Sequence, residues 1–137
     1  MNWQRTGFTV DTDPGRLDFD VIHGFLTTSY WTPGINREKV EKAARNSLCF
    51  GVYDGTAQVG FARVISDQTS FAYLADVFIL ESHRRKGLAR MLLECILDHP
   101  ELQGLRTWLL KTRDAHDLYR KVGFSDLKDP ERFLVKT

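Results

Sequence analysis

Residues 84 to 89 read Arg-Arg-Lys-Gly-Leu-Ala, three cations and a glycine directly ahead of a helical apolar pattern. A helix N-terminus already carries about half an elementary positive charge, and its first N–H groups have no intrahelical acceptor. Placing Arg84, Arg85 and Lys86 there is unfavourable unless an anion is to be bound. Gly87 lets a ligand approach the backbone closely, and Ala89 is small as well. The pattern R-x-x-G-x-A on Arg84, Gly87 and Ala89, with Leu88 opening the helix, therefore describes a cradle for phosphate, a diphosphate above all. It is neither the P-loop G-x-x-x-x-G-K-[ST] nor the dinucleotide fingerprint G-x-G-x-x-G. The plain alternative is a solvated basic turn before an ordinary helix. A second position stands out upstream. Asp76 is the only charged residue in the apolar run Phe71 to Leu80, where a carboxylate is costly unless it is paired or faces a cleft.

The flanking elements favour the cradle. Phe71 to Leu80 is rich in strand formers and reads as a central strand buried on both faces. After the basic loop, apolar residues at 88, 91, 92, 95 and 96 lie on one helical face, and Pro100 ends the pattern. A buried strand, a tight loop and an amphipathic helix thus frame the cations.

The remaining chain reads as follows. Residues 2 to 10 form a first strand, and Asp11 to Gly15 a turn. A short helix follows Asp18, then a loop over 27–35, and Asn36 caps a second helix. Two β-rich runs surround Asp54-Gly55 as a hairpin. Leu105 to Lys111 is a further strand. Asp114 and Asp117 sit in a capping-box arrangement at the start of AHDLYRKV, which Gly123 ends. A final strand region begins at Phe124, with Arg132 to Lys136 (RFLVK) as its last strand. The expected fold is α/β: a mixed central sheet of about six to seven strands flanked by about four helices.

Bulk properties limit the function classes. With 137 residues, 42% of them hydrophobic, the chain suits one domain spanning 1–137 with one core. A formal net charge of +1 argues against a nucleic-acid binder. Cys49 and Cys95 fit neither a metal spacing nor a disulfide framework and read as core residues. No signal-peptide pattern and no run near the ~18 apolar residues of a membrane span is visible, so the expected location is cytoplasmic with no membrane partner. His23 and His116 have no partners at ligand spacing, and no metal is expected.

Two segments together resemble the GNAT family, the Gcn5-related N-acetyltransferases. The first is DVFILESHRRKGLARMLLECIL, similar to that family's strand, pyrophosphate loop and helix. The second, AHDLYRKVGF over residues 115–124, is similar to its A-x-x-L-Y-x-x-x-G-F segment. The likeness covers roughly Leu48 to Phe124. It implies acetyl-CoA as donor and an amine as acceptor, by direct acyl transfer. The backbone of Val77, Phe78 and Ile79 would bind the pantetheine arm and the acetyl carbonyl, with the Val77 N–H stabilising the oxyanion. Arg84, Arg85, Lys86, Gly87, Leu88 and Ala89 would hold the pyrophosphate. Tyr119 falls on the tyrosine that protonates the departing thiolate in many members; without the motif it would read as a packed helix aromatic. Many members carry Asn seven residues before this tyrosine. Thr112 stands there instead and offers a hydroxyl to the CoA arm.

Asp76 then has two roles open: partner of the acceptor ammonium or general base, or a structural ion pair. Tyr73 shares its strand. Tyr30, Trp31 and Arg37 flank the loop that shapes the acceptor pocket in the family, though aromatics there also serve to cover a sheet. His83, beside the basic loop, either touches phosphate or faces solvent. A non-catalytic CoA-binding sensor or scaffold module is the competing function. The acceptor, a small molecule or peptide amine, is not identified by the sequence. Oligomeric state stays open, a homodimer included.

Overall fold

A computed structural model describes residues 1–137. The strands are β1 (Asn2–Arg5), β2 (Phe8–Asp11), β3 (Leu48–Asp54), β4 (Ala57–Ser66), β5 (Phe71–Ile79) and β6 (Thr107–Leu110). The helices are α1 (Phe19–Leu26), α2 (Arg37–Arg45), α3 (Leu88–Asp98) and α4 (His116–Lys121). The sheet order is β1-β2-β3-β4-β5-β6, antiparallel throughout except for the parallel pair β5–β6.

Local chemistry accounts for most boundaries. The Asp18 carboxylate accepts from the N–H groups of Asp20 and Val21 and so starts α1; Asn36 accepts from Lys39 N–H at 2.9 Å and starts α2. The expected single strand over 2–10 is instead a hairpin. Thr6 and Gly7 both take positive φ, 50° and 86°, and reverse the chain between β1 and β2. The capping box of α4 does not form: Thr112 Oγ1 takes the Ala115 N–H at 3.1 Å, and neither Asp114 nor Asp117 caps the helix. The expected strands after Phe124 are also absent. Residues beyond Gly123 hold only a 3-10 turn, Pro130–Arg132, and Leu134 is 100% exposed. The sheet therefore has six strands. No helix is long and apolar enough to cross a membrane.

The sheet separates two apolar clusters. The larger one packs α3 against Val10, Phe50, Val52, Val64, Ala72 and Leu74, with Leu118 and Tyr119 of α4 at its margin. The smaller one packs Ile22 and Leu26 of α1 and Val40 and Ala44 of α2 against Cys49, Phe61 and Phe78. Cys49 and Cys95 are both buried and unpaired, and burial pushes their thiols up to about 12 and about 11, so both are inert packing groups.

Behind α3, His99 is buried between Trp3 and Phe50 (centroids 6.1 and 5.7 Å), and its Nδ1 accepts from Glu101 N–H at 3.1 Å. Burial holds the imidazole below its ordinary 6.5. The unfolded chain thus takes up a proton more readily than the native one. The stability that neutral His99 contributes is complete above that value and is lost as pH falls. Replacing His99 with Gln should flatten the decline in Tm as pH falls below about 6.5, while an unaltered slope would remove His99 from the acid transition.

Candidate active site

The site grows from two irregularities in β5. The first is a bulge. Phe61 lies opposite Phe78 and Arg63 opposite Ala75, so Asp76 and Val77 together oppose the single residue Ala62. Asp76 takes up the extra residue in a left-handed conformation, φ 57°. Because side chains alternate with a period of two, the insertion flips the pattern. Ala72 and Leu74 point into the larger cluster; beyond the bulge Val77 and Ile79 do, and Phe78 turns to the smaller one, stacked on Phe25 at 4.0 Å.

The second irregularity is a splay. β6 pairs with β5 only from Phe71↔Thr107 to Leu74↔Leu110. From Ala75 to Ile79 that edge of β5 has no neighbouring strand. Its backbone groups line a wedge between β5 and the β6–α4 connection, where Ile79 O already accepts from Arg84 and the unpaired edge suits an extended ligand. Val77, Phe78 and Ile79 all lie on this stretch.

The wedge runs toward the basic loop. Arg85 and Gly87 both take left-handed conformations, φ 64° and 75°, with Lys86 between them. Alternation of this kind turns successive N–H groups toward one point, an anion-binding nest. α3 has neither a side-chain cap nor an acidic residue in its first turn, so its leading N–H groups stay free. A cavity of ≈ 180 Å³ lies here, lined by Ile79, Arg84, Arg85, Gly87, Leu88, Ala89 and, from α4, Leu118, with His83 and Arg90 at its margin. A Cβ on Gly87 would meet nothing within 4 Å. Arg84 folds back, its Nε donating to Ile79 O at 3.1 Å. His83 stands in the cavity wall with both ring nitrogens already engaged: Nε2 lies 2.9 Å from Asp54 Oδ2 and Nδ1 2.8 Å from Ser82 Oγ. A larger hollow of ≈ 350 Å³ between α3 and the end of α4, lined by Arg90, Glu94, Asp98 and Lys121 among others, contains none of the predicted residues.

Tyr119 sits on α4 one residue after Leu118, its ring edge-on to Phe124 at 5.9 Å. Burial, with Tyr30 and Asp114 nearby, pushes its phenol up to about 12. The hydroxyl makes no hydrogen bond within the chain and holds its proton throughout the neutral range. Thr112 lies at the end of the β6 connection. Its oxygen accepts from Ala115 N–H, which leaves its O–H free to donate.

On the opposite face of the sheet, Asp76 joins a network that the sequence did not disclose. Arg63 Nε donates to Asp76 Oδ2 at 2.9 Å and Arg63 Nη1 to Ser47 Oγ at 3.2 Å. Trp31 Nε1 donates to Asp76 Oδ1 at 2.9 Å. The pair is largely shielded, with 18% of the Arg63 side chain and 13% of the Asp76 side chain exposed. Asp76 therefore makes a structural ion pair, one of the two roles open to it. One signal could have found Arg63: it is the only charged residue in β4, as Asp76 is in β5.

Trp31 continues into Tyr30 at 5.1 Å, edge-on. Tyr30 in turn lies under the Arg113 guanidinium at 3.8 Å, and its hydroxyl accepts from Arg113 N–H at 3.2 Å. The α1–α2 loop thus bridges from β5 to the β6–α4 connection across the wedge. Tyr73 shares this face, paired with Ile65 and Leu109. Arg37 does not join it: its guanidinium pairs with Asp20 and ties α2 to α1. No cluster of three or more His, Cys, Asp or Glu side chains is placed to hold a metal ion.

Residues 17–124 match the family model described as acetyltransferase (GNAT) family. A Gibberella zeae protein named as an acetyltransferase is 33% identical over 153 aligned positions, covering 94% of this chain and 85% of its own length. A crystal structure from Xanthomonas campestris pv. campestris, described as an acetyltransferase of the same family, superposes with a TM-score of 0.94 at 41% identity, over 98% of this chain and 95% of that one. A family member from Elizabethkingia anophelis, solved with acetyl-CoA bound, shares the fold at 12% identity and a TM-score of 0.67, over 90% and 80% of the two chains.

Proposed function

The chain belongs to the GNAT acetyltransferase family and is an acyl-CoA-dependent N-acyltransferase; from this we propose that it moves an acetyl group from acetyl-CoA directly to a primary amine of a small molecule or peptide, residues 1–137 working as one domain. The observation that carries this reading is the wedge between β5 and β6 leading to the left-handed loop at Arg85 and Gly87. Its two ends suit the two ends of one ligand, an extended amide-bearing arm and a diphosphate.

Acetyl-CoA supplies the activated thioester carbonyl. Arg84 to Ala89 hold the diphosphate with N–H groups and cations. The free edge of β5 at Val77, Phe78 and Ile79 takes the pantetheine arm by backbone hydrogen bonds, and the Thr112 O–H adds a donor beside it. The Val77 N–H stabilises negative charge growing on the carbonyl oxygen. Asp76, held by Arg63 and Trp31, offers its remaining lone pairs to the acceptor ammonium, while Tyr30, Trp31 and Tyr73 wall the acceptor side. The amine nitrogen bonds to the carbonyl carbon and the carbon–sulfur bond breaks. The ammonium loses one proton to water before it attacks; Tyr119 gives its proton to the sulfur and is reprotonated, through water, by the second proton that the nitrogen sheds.

The experiment is a thermal shift with acetyl-CoA, followed by amine-dependent release of the CoA thiol. Ligand at about 100 times its Kd adds about 2.7 kcal/mol to the folded state, a shift of several degrees. No shift at millimolar acetyl-CoA would refute the reading.

A further inference from the structure

The direction of one backbone donor in β5 depends on a single inserted residue. Leu80 N–H donates to Val59 O at 2.8 Å. N–H directions alternate along a strand, so the Phe78 N–H also faces β4, and those of Val77 and Ile79 face the open wedge. Without the bulge, the register Arg63↔Ala75 would continue with Phe61 opposite Val77 instead of Phe78. The Val77 side chain would then leave the larger cluster, and its N–H would turn from the wedge to β4. Only the extra residue at Asp76 keeps that N–H on the side where an acyl group can meet it.

Asp76 is held there against its own preference. A left-handed backbone at φ 57° is unfavourable for an L-residue unless its surroundings compensate. Both of its carboxylate oxygens accept from other elements, Oδ2 from Arg63 on β4 and Oδ1 from Trp31 on the α1–α2 loop, each at 2.9 Å. Arg63 is fixed in turn: its Nη1 donates to Ser47 Oγ, which donates to Ala43 O of α2 at 2.7 Å. A shielded ion pair adds little net stability, because the desolvation of both charges offsets their attraction. Stability alone therefore does not account for Arg63 and Asp76 in two strands that carry no other charge. We propose that Arg63, together with Trp31, is a positioning residue for acyl transfer: their bonds to Asp76 lock the bulge and so hold the Val77 N–H on the acetyl carbonyl oxygen, a role that rests on the oxyanion function given to Val77 above. Arg63 acts through Asp76 and not on either substrate. Loss of the clamp lets β5 relax toward the unbulged register and carries the donor off its acceptor, while the loop Arg84 to Ala89 keeps the diphosphate.

The test reads the carbonyl itself. Acetyl-CoA with carbon-13 at the acetyl carbonyl is bound to the whole chain without any amine, and the isotope-edited infrared band of its C=O is compared in the wild type, Arg63→Met, Arg63→Lys and Trp31→Phe. Calorimetry gives the affinity of each, and turnover is measured with an amine that the wild type accepts. In the wild type the band lies below that of free acetyl-CoA, because a hydrogen bond to the oxygen weakens the C=O bond. In Arg63→Met the band returns toward the free position, kcat falls by about tenfold to 10²-fold, and the Kd for acetyl-CoA changes by less than about threefold. Arg63→Lys keeps the charge and a donor and lies between the two. Trp31→Phe removes one N–H from a ring that is 39% exposed, so it folds even where Arg63→Met does not, and it moves the band in the same direction. An ion pair with a purely structural role would lower Tm and leave the band in place. An unmoved band in the folded variants, or wild-type kcat in Arg63→Met, would therefore overturn the proposal. A wild-type band that matches free acetyl-CoA would instead remove the role of Val77, and that of Arg63 with it.

Discussion

Tyr119→Phe should lower kcat with acetyl-CoA and any amine that the enzyme turns over by about 10²–10⁴-fold, with little change in KM for either substrate. The substitution removes only the hydroxyl. The ring keeps its edge-on contact with Phe124 at 5.9 Å and its place at the margin of the larger cluster. The hydroxyl has no hydrogen-bond partner in the chain, so its loss orphans no buried group, and the Tm should move little. The effect falls on kcat because the proton is needed only as the carbon–sulfur bond breaks. The phenol is raised to about 12, chiefly by burial. It is therefore protonated through the neutral and mildly alkaline range, and no loss of activity there should trace to it. On the acid side, activity should rise with pH as the acceptor amine loses its proton. Wild-type kcat in the phenylalanine variant, in single-turnover measurements free of product release, would end the acid role.

Gly87→Glu should weaken acetyl-CoA binding by tenfold to about 10³-fold, and the comparison that matters is with Gly87→Ala. Both variants place a Cβ on a residue with φ 75°, a backbone state that costs an L-residue about 1–2 kcal/mol. A Cβ at this position meets no atom within 4 Å, so neither variant should clash. The loss of Tm should thus be similar in the two. Only Glu sets a carboxylate where the Arg85–Gly87 loop and the uncapped start of α3 converge. Two like charges about 4 Å apart repel by up to about 4 kcal/mol at an effective dielectric of 20, which sets the upper bound. Titration calorimetry of both variants against acetyl-CoA reads the difference. Equal affinities for Ala and Glu would place the diphosphate elsewhere.

The legible part of the site is the part written in contiguous residues. The loop Arg84 to Ala89 announces itself because cations at a helix start conflict with the helix dipole. The α4 segment around Tyr119 is likewise one unbroken motif. Asp76 was visible as a lone charge in an apolar strand, but its environment was not. The ion pair with Arg63 depends on the register between β4 and β5, and the bond from Trp31 on where a loop 45 residues away comes to rest. The terminal strand was expected from the composition of Arg132 to Lys136. That expectation was right about propensity and wrong about pairing, since a strand exists only when an edge is present to receive it.

By itself, the sequence determined the α/β class, the helix starts at Asp18 and Asn36, the basic glycine loop and the position of Tyr119. Each of these follows from interactions within a few residues, where chain connectivity limits the alternatives. The tertiary structure alone decided the bulge that flips β5 at Asp76, the parting of β5 and β6 after Leu74 and the Asp76–Arg63–Trp31–Tyr30–Arg113 bridge across the wedge. These arise from contacts between distant segments whose geometry is set by packing against α1, α3 and α4, and no local propensity encodes it.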